Sequence, residues 1–215
     1  MQRMRVTFAR GDGIKYISHL DIMRLWERAL RRADIPLAYS EGFNPHPRLS
    51  LAAPLAVGMT SEAELMDVFL SKRISPFFFL KSTEYQMPPG IDVTEVCEVN
   101  LALPSLQSQI RYAEYKVTIE TQRQLKEVQA SLRSLLALDH LPWQHTRDNQ
   151  LRQYDLRALM SELWIIDWLG DECVLGMRLV TDSKATGRPE QVTRAVGFDR
   201  QPRAVHRTKL ILAGG

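Results

Sequence analysis

Apolar and polar residues alternate along several short stretches of the chain, and such alternation predicts β-strands with one buried face. The pattern is clear in residues 3–10 (RMRVTFAR) and 90–99 (GIDVTEVCEV). Residues 18–33 instead place apolar residues three and four positions apart, which predicts an amphipathic helix. Ser18, followed by Asp21 three residues later, favours a helix start at this point.

The order of the predicted elements repeats along the chain. Strand, helix, strands, helix and strand follow one another over residues 1–105, and a similar order begins again over residues 106–215. This order with antiparallel pairing is typical of the split β-α-β arrangement. We therefore predict an α+β protein of two tandem ferredoxin-like sandwiches, each with antiparallel strands and helices on one face. One continuous mixed sheet with helices on one side stays open as an alternative. In the first half, residues 37–40 (LAYS) are predicted to begin the second strand.

The segment GFNPHPR (residues 42–48) lies between two apolar, strand-like flanks. Its two prolines fix their own φ angles and hold the preceding residues extended, so we expect a stiff loop. A stiff loop presents Asn44, His46 and Arg48 with little entropy left to lose on binding. Arg48 also offers a planar fork that suits phosphate or carboxylate. The sequence leaves open whether Phe43 stacks on a base or fills the core.

Basic residues concentrate at the two ends of the chain. Residues 1–50 hold nine Lys and Arg against five Asp and Glu, and residues 183–215 hold seven against two. If both ends met in space, they would form one positive surface that attracts an anionic partner. A solvated surface without function is the alternative. Besides the loop residues, the predicted contacts to nucleic acid or another anion are Arg24, Arg28, Arg31, Arg203, Arg207 and Lys209.

Composition narrows the classes of protein. Cys97 and Cys173 are the only cysteines, too few for a disulfide scaffold and at no spacing typical of metal ligands. His140 and His145 lack cysteine or acidic companions at a spacing typical of metal ligands, so we expect no metal site and no cofactor. The first residues lack the long apolar stretch of a signal peptide, and no window approaches the about 20 apolar residues of a membrane span. We therefore expect a cytoplasmic protein without a membrane partner.

Three motifs in a fixed order resemble the hallmark segment of the radical-SAM-associated (radical SAM-linked) domain family of bacteria, a family of unknown function. They are SHLD (residues 18–21), RALRRA (28–33) and GFNPHPR (42–48). The likeness is close over residues 1–72 and looser towards the end of the chain. The resemblance implies an accessory domain for a radical SAM partner, and the usual gene neighbours of the family imply RNA or a ribosome-related substrate. Because the iron–sulfur cluster needs three closely spaced cysteines, the radical chemistry would belong to the partner.

Three functions stay open at this stage. We favour an accessory module that binds RNA through the loop, the arginine-rich helix face and the basic C-terminus, without catalytic activity of its own. The first alternative is a metal-independent RNA-processing or RNA-modifying enzyme, in which His46 is the general acid or base and Arg48 stabilises a phosphorane. A helix start is expected at the opposite end of the sheet from this loop, which argues against a pair of His19 with His46. The second alternative is a protein–protein adaptor. It would dock through the acidic middle of the chain, residues 51–140, which hold eleven Asp and Glu against eight Lys and Arg, or through Phe77–Phe79.

Overall fold

The structure is a computed structural model that describes residues 1–147, 150–182 and 184–214. The described chain forms two compact units, Met1–Ile110 and Arg111–Gly215. They are called the N-terminal unit and the C-terminal unit below. Both units combine helices with antiparallel strand pairs, which confirms the α+β class predicted from the sequence.

The N-terminal unit follows the order strand, helix, strand, strand, helix, strand. Its elements are β1 (Gln2–Arg10), α1 (His19–Arg32), β2 (Leu49–Leu51), β3 (Thr60–Leu70), α2 (Pro76–Glu84) and β4 (Ile91–Val99), followed by the single helical turn α3 (Leu106–Gln109). The strands lie in the order β4-β1-β3-β2, and each neighbouring pair is antiparallel. The last strand of the unit therefore lies beside the first.

Apolar residues of β1, β3, α1 and α2 form most of the core of the N-terminal unit. Because successive strand residues face opposite sides, Met4, Val6 and Phe8 share one face of the sheet, and all three are fully buried. Trp26 of α1 contacts Phe8 edge to face, with 4.9 Å between the ring centroids. Phe79 of α2 completes this core. Burial of each such side chain stabilises the fold by about 1.5–3 kcal/mol. The apolar residues at helical spacing in α1 are therefore those that face the sheet.

The region between α1 and β3 differs from its prediction. Residues 37–40 do not form a strand but isolated bridges, in which Leu37 pairs with Leu70 and Tyr39 pairs with Pro47. The second strand is confined to Leu49–Leu51. Proline has no amide hydrogen, so a regular ladder cannot run through this proline-rich segment.

The C-terminal unit repeats the order of the N-terminal unit with one addition. Its elements are β5 (Ile110–Glu120), α4 (Leu125–Leu136), β6 (Pro142–Arg147), β7 (Gln150–Asp155), β8 (Met160–Leu169), β9 (Glu172–Val180), α5 (Pro189–Val196) and β10 (Ala204–Leu212). The strands lie in the order β10-β5-β9-β8, while β6 and β7 form a separate two-stranded ribbon. In the part of the chain that the structure describes, no helix is long and apolar enough to span a membrane.

Candidate functional site

Residues 38–48, called the hairpin below, are anchored on β3 of the N-terminal unit. The Ala38 amide donates a hydrogen bond to the Phe69 carbonyl at 2.8 Å, and the Phe69 amide donates to the Arg48 carbonyl at 3.0 Å. Between the two legs, the Arg48 amide donates to the Ala38 carbonyl at 2.8 Å. Both legs of the hairpin are therefore attached to one residue of an interior strand.

The tip of the hairpin is fixed by further backbone contacts. The Ser40 amide donates to the His46 carbonyl at 2.9 Å, and the His46 amide donates to the Ser40 hydroxyl at 3.0 Å. Gly42 has a φ of +122°, which L side chains rarely adopt. Pro45 and Pro47 restrict the returning leg. Hydrogen bonds thus add to the stiffness that the prolines predict.

The side chains of the tip face solvent. Phe43 has a relative exposure of 109%, so it is not a core residue. Asn44 and His46 are also exposed, and their side chains have no hydrogen-bond partner among the described residues. A fully exposed aromatic ring beside unpaired polar groups is typical of a binding surface, because a partner recovers the cost of hydrating the ring.

His46 and His19 lie far apart along the N-terminal unit. His19 begins α1, whereas Arg31, near the end of this helix, lies over the ring of Tyr39 in the hairpin at 5.9 Å. At 1.5 Å per residue, the helix separates the levels of His19 and Arg31 by about 18 Å. The fold therefore gives the enzyme alternative no His19–His46 pair.

Arg48 is exposed and held in one orientation. Its guanidinium carbon lies 4.4 Å from the centroid of the Phe69 ring, and Nη1 is 3.3 Å from the sulfur of Met1. Within the described ranges, Arg48 has no carboxylate partner. Arg3 lies near the same ring, at 5.4 Å, but its Nη2 contacts Oδ2 of the fully buried Asp67 at 2.5 Å. Arg48 therefore offers an oriented, unneutralised guanidinium, which suits phosphate or carboxylate.

The predicted arginine face of α1 is exposed next to the hairpin. Arg24 and Arg31 pair with acidic residues one turn earlier on the helix, at 3.3 and 2.7 Å. Exposed pairs of this kind contribute only about 0–1 kcal/mol, so both arginines can exchange partners. Arg28 donates from Nε to the Arg24 carbonyl at 3.3 Å. Its terminal nitrogens have no partner in the described part of the chain. The contact of Arg31 with Tyr39 makes this face continuous with the hairpin.

The predicted C-terminal cations have different surroundings. Arg203 pairs with Glu172. Arg207 is only 1% exposed, so its guanidinium does not face solvent, and we remove it from the predicted surface. Alternation along β10 predicts which residues share a face, but it does not predict whether that face is covered. Lys209 is exposed and has no acidic partner among residues the structure describes.

Sequence reasoning missed a groove on the N-terminal unit. It has a volume of about 660 Å³, and its lining includes Arg28, Arg32 and the exposed ring of Tyr16. Arg32 donates to the side chain of Gln86 at 3.1 Å and to its backbone carbonyl at 2.8 Å. These residues are 54 positions apart, so no local pattern in the sequence relates them. Only the aromatic and basic character of residues 15–32 could have indicated this site.

Asp155 holds the start of the β6–β7 ribbon in the C-terminal unit. Its carboxylate accepts a hydrogen bond from the Leu141 amide at 2.8 Å and contacts Nδ1 of His140 at 2.8 Å. Mainly because of the Leu141 amide, and then His140, the pKa of Asp155 falls to about 2. His140 therefore has an acidic neighbour, contrary to its prediction. No cluster of three His, Cys, Asp or Glu residues suited to a metal ion occurs among the residues described.

The chain belongs to a protein family described as uncharacterized protein conserved in bacteria (DUF2344), whose model matches residues 3–189. This membership confirms a bacterial family of unknown function, as the resemblance implied. The family description names no partner, so the radical SAM link stays a prediction. Among the curated proteins, none matches the chain.

Solved structures resemble the fold. The chain is similar over 97% of its length to a chain in the crystal structure of a Cbf5-Nop10-Gar1 complex, with 7% sequence identity and a TM-score of 0.52. It covers 48% of that chain, so it spans about half the length of its structural relative. An H/ACA RNP bound to a substrate RNA containing 2′-deoxyuridine gives 8% identity, a TM-score of 0.49 and coverage of 97% and 47% of the two chains. At this identity the likeness concerns the α+β fold alone.

Proposed function

We propose that this family member is an accessory module that binds RNA through the hairpin and the neighbouring arginine face of α1. One observation carries the proposal. A backbone fixed by hydrogen bonds exposes Phe43, Asn44, His46 and Arg48 together. Apart from the contacts of Arg48 with Phe69 and Met1, these side chains form no hydrogen bond, ion pair or ring contact with other side chains among the described residues.

The chemistry of the hairpin suits single-stranded or unpaired RNA. Proteins recognise such RNA by stacking bases on aromatic rings and by hydrogen bonds to base edges. In the proposal, Phe43 stacks on a base and the Asn44 amide bonds to a base edge. Arg48 and Arg28 contact phosphates, while Arg24 and Arg31 exchange their acidic neighbours for the RNA backbone. Arg203 and Lys209 of the C-terminal unit stay in the proposal as secondary contacts.

The proposal includes a radical SAM partner, as the resemblance of the SHLD and GFNPHPR motifs implies. The two cysteines of the chain are Cys97 and Cys173, and both are free thiols. A cluster with three cysteine ligands would therefore be bound by the partner. Free thiols suit a reducing compartment, so the proposal places the module in the cytoplasm.

We also propose that the units are two ferredoxin-like domains, with a boundary near the predicted 1–105 and 106–215. The repeated order strand, helix, strand, strand, helix, strand supports this assignment. The strand orders β4-β1-β3-β2 and β10-β5-β9-β8 support it too, because both place the last strand beside the first, as in a split β-α-β unit.

RNA binding by the hairpin is tested with the double variant Phe43→Ser/Arg48→Gln. We expect wild type to bind unpaired RNA oligonucleotides in fluorescence anisotropy at low salt, and the variant to bind at least about thirtyfold more weakly. Loss of a stacked base costs about 1–3 kcal/mol, and loss of a phosphate contact adds to it.

The matched control is Phe77→Ser/Arg73→Gln, which makes the same changes at exposed positions of the same unit. The control is expected to bind RNA within about twofold of wild type. Absence of RNA binding by wild type at low salt, or equal losses in both double variants, would refute the proposed function.

A second candidate function is docking of a partner protein on α2. Phe77, Phe78 and Tyr85 are 71%, 51% and 83% exposed, whereas Phe79 is buried. These exposed rings favour the adaptor alternative, with the radical SAM protein as the occupant. Co-purification of that protein with wild type and with Phe43→Ser, but not with Phe77→Ser/Phe78→Ser, would support docking. Equal recovery of the radical SAM protein with wild type and both variants would exclude docking on α2.

A further inference from the structure

The groove beside α1 combines an apolar lining with a volume suited to a small ligand. It lies between α1 and the turn that follows α2 in the N-terminal unit, and its apolar side chains include Ile17, Leu25 and Met87. The groove has a volume of about 660 Å³ and is open to solvent, so it can cover one face of a flat ligand but cannot enclose it. Tyr16 lines the groove with a ring that is 73% exposed.

Two arginines of the groove lack a carboxylate partner in the described part of the chain. Arg32 is oriented by two hydrogen bonds to Gln86, and the terminal nitrogens of Arg28 have no hydrogen-bond partner among the residues that the structure describes. The acid in the lining, Asp21, forms no close ion pair with either arginine within the described chain, although the charge of Arg28 is among the causes that lower its pKa. Its carboxylate accepts a hydrogen bond from the Ser18 hydroxyl at 2.7 Å and forms an ion pair with Arg24 at 3.3 Å. The hydrogen bond from Ser18 lowers the pKa of Asp21, so this carboxylate stays ionised and keeps its contacts with Ser18 and Arg24.

An apolar lining beside arginines that form no close ion pair in the described chain suits a ligand that is apolar at one end and anionic at the other. The exposed aromatic ring of Tyr16 and the planar guanidinium of Arg28 both favour a flat ligand, since each stacks on planar groups. A nucleotide has this combination of a flat base and a phosphate.

The position of Arg28 links the groove to the proposed RNA surface. Arg28 lines the groove and also belongs to the arginine face, which Arg31 continues to Tyr39 in the hairpin. Along the helix, Arg28 and Arg31 are only about 4.5 Å apart in rise. An RNA strand that leaves the hairpin along this face therefore reaches the groove.

We propose that the groove binds one unstacked nucleotide, with its base against Leu25 and Met87 beside Tyr16, and with its phosphate at Arg28. That this nucleotide is part of a bound RNA rests on the proposed function. Binding of a free nucleotide needs only the groove, so the two ideas can be tested separately.

Isothermal titration of the whole chain with AMP, GMP, CMP and UMP tests the groove, with the nucleosides and inorganic phosphate as probes of each half. We expect at least one monophosphate to bind at least about tenfold more tightly than its nucleoside and than phosphate, a difference of about 1.4 kcal/mol. Arg28→Gln is expected to weaken this binding about tenfold or more, and Tyr16→Ala by several-fold. Arg73→Gln, an exposed arginine outside the groove, should bind as wild type does.

The outcomes separate the groove from the hairpin. If no monophosphate binds at millimolar concentration while wild type binds RNA, the groove inference is refuted and the proposed function stands. If phosphate binds as tightly as the nucleotides, or Arg28→Gln and Tyr16→Ala both bind normally, the nucleotide assignment is also refuted. If a monophosphate binds through Arg28 while the hairpin variant binds RNA normally, the proposed function fails and the groove stands as a site for free nucleotides.

Discussion

Arg28 and Arg48 of the N-terminal unit differ from the arginines of the C-terminal segment 200–207 in what they contact. In the N-terminal unit, Arg28 and Arg48 have no carboxylate partner among the described residues. In the C-terminal unit, Arg200 and Arg203 pair with glutamates of β5 and β9, and Arg207 is buried. Charge counted along the sequence therefore overstates the positive surface of the C-terminal unit.

The same contrast occurs around one ring of the N-terminal unit. Arg3 and Arg48 both lie near Phe69, but only Arg3 has a buried acid, Asp67, as its partner. A partnered, buried arginine belongs to the fold, because the pair costs free energy when it is broken. The guanidinium of an exposed arginine without a carboxylate partner is available to form an ion pair with a ligand. Variants of the first kind should therefore change stability, and variants of the second kind should change binding.

The largest expected effect is on the buried ion pair. Asp67→Ala leaves the guanidiniums of Arg3 and Arg5 without their buried carboxylate, which should reduce the free energy of unfolding by about 3–5 kcal/mol. Urea denaturation followed by circular dichroism measures this loss. Asp12→Ala removes a carboxylate that is 84% exposed and paired with Lys15, and should cost less than about 1 kcal/mol. Similar losses in both variants would contradict the distinction.

A smaller effect is expected when two charges are removed from each basic end. Arg28→Gln/Arg48→Gln should weaken RNA binding about tenfold or more at low salt. It should also reduce the slope of log K against log salt by about 1.4, since each single-strand phosphate contact contributes about 0.7. Arg200→Gln/Arg203→Gln removes the same charge, but from arginines that already have acidic partners. Because Arg203 is only a secondary contact in the proposal, this variant should weaken binding by about threefold at most. Fluorescence anisotropy at several salt concentrations measures the affinity and the salt dependence of both variants. Equal losses of affinity in the two variants would contradict the difference between these two groups of arginines.

The smallest expected effect concerns an acid of the C-terminal unit. The pKa of Asp155 is lowered from 3.8 to about 2 in the folded chain, so its ionised form stabilises the fold above the unfolded pKa. This contribution is lost as the pH falls from 3.8 towards 2. Asp155→Asn should therefore be less stable than wild type near neutral pH, and the difference should shrink in that acidic range. Urea unfolding at pH 6 and pH 3 measures it, and a difference independent of pH would contradict this assignment.

Local patterns predicted the elements that depend on local contacts. Ile22, Trp26 and Leu30 follow the helical period, and all are buried on the inner side of α1. Ser18 caps this helix, as predicted, because its hydroxyl oxygen accepts a hydrogen bond from the Asp21 amide at 3.2 Å. Both features depend on residues within one or two turns of the chain, which a single sequence contains in full.

Contacts between distant residues could not be predicted in this way. The acid that pairs with Arg200 lies 80 positions away at Glu120, and only the pairing of strands brings them together. For the same reason alternation along β10 gave no sign that Arg207 is buried. The exposure of Phe43 also depends on the path of the hairpin away from the core, which composition leaves open.

Phe69 is the shared attachment point of the two legs of the hairpin. Its carbonyl and amide hold the two legs, and its ring supports the guanidinium of Arg48. Release of this residue from its neighbours would free both legs in one cooperative event, rather than by gradual fraying from the tip. The hairpin should therefore stay attached to the sheet for as long as β3 stays folded.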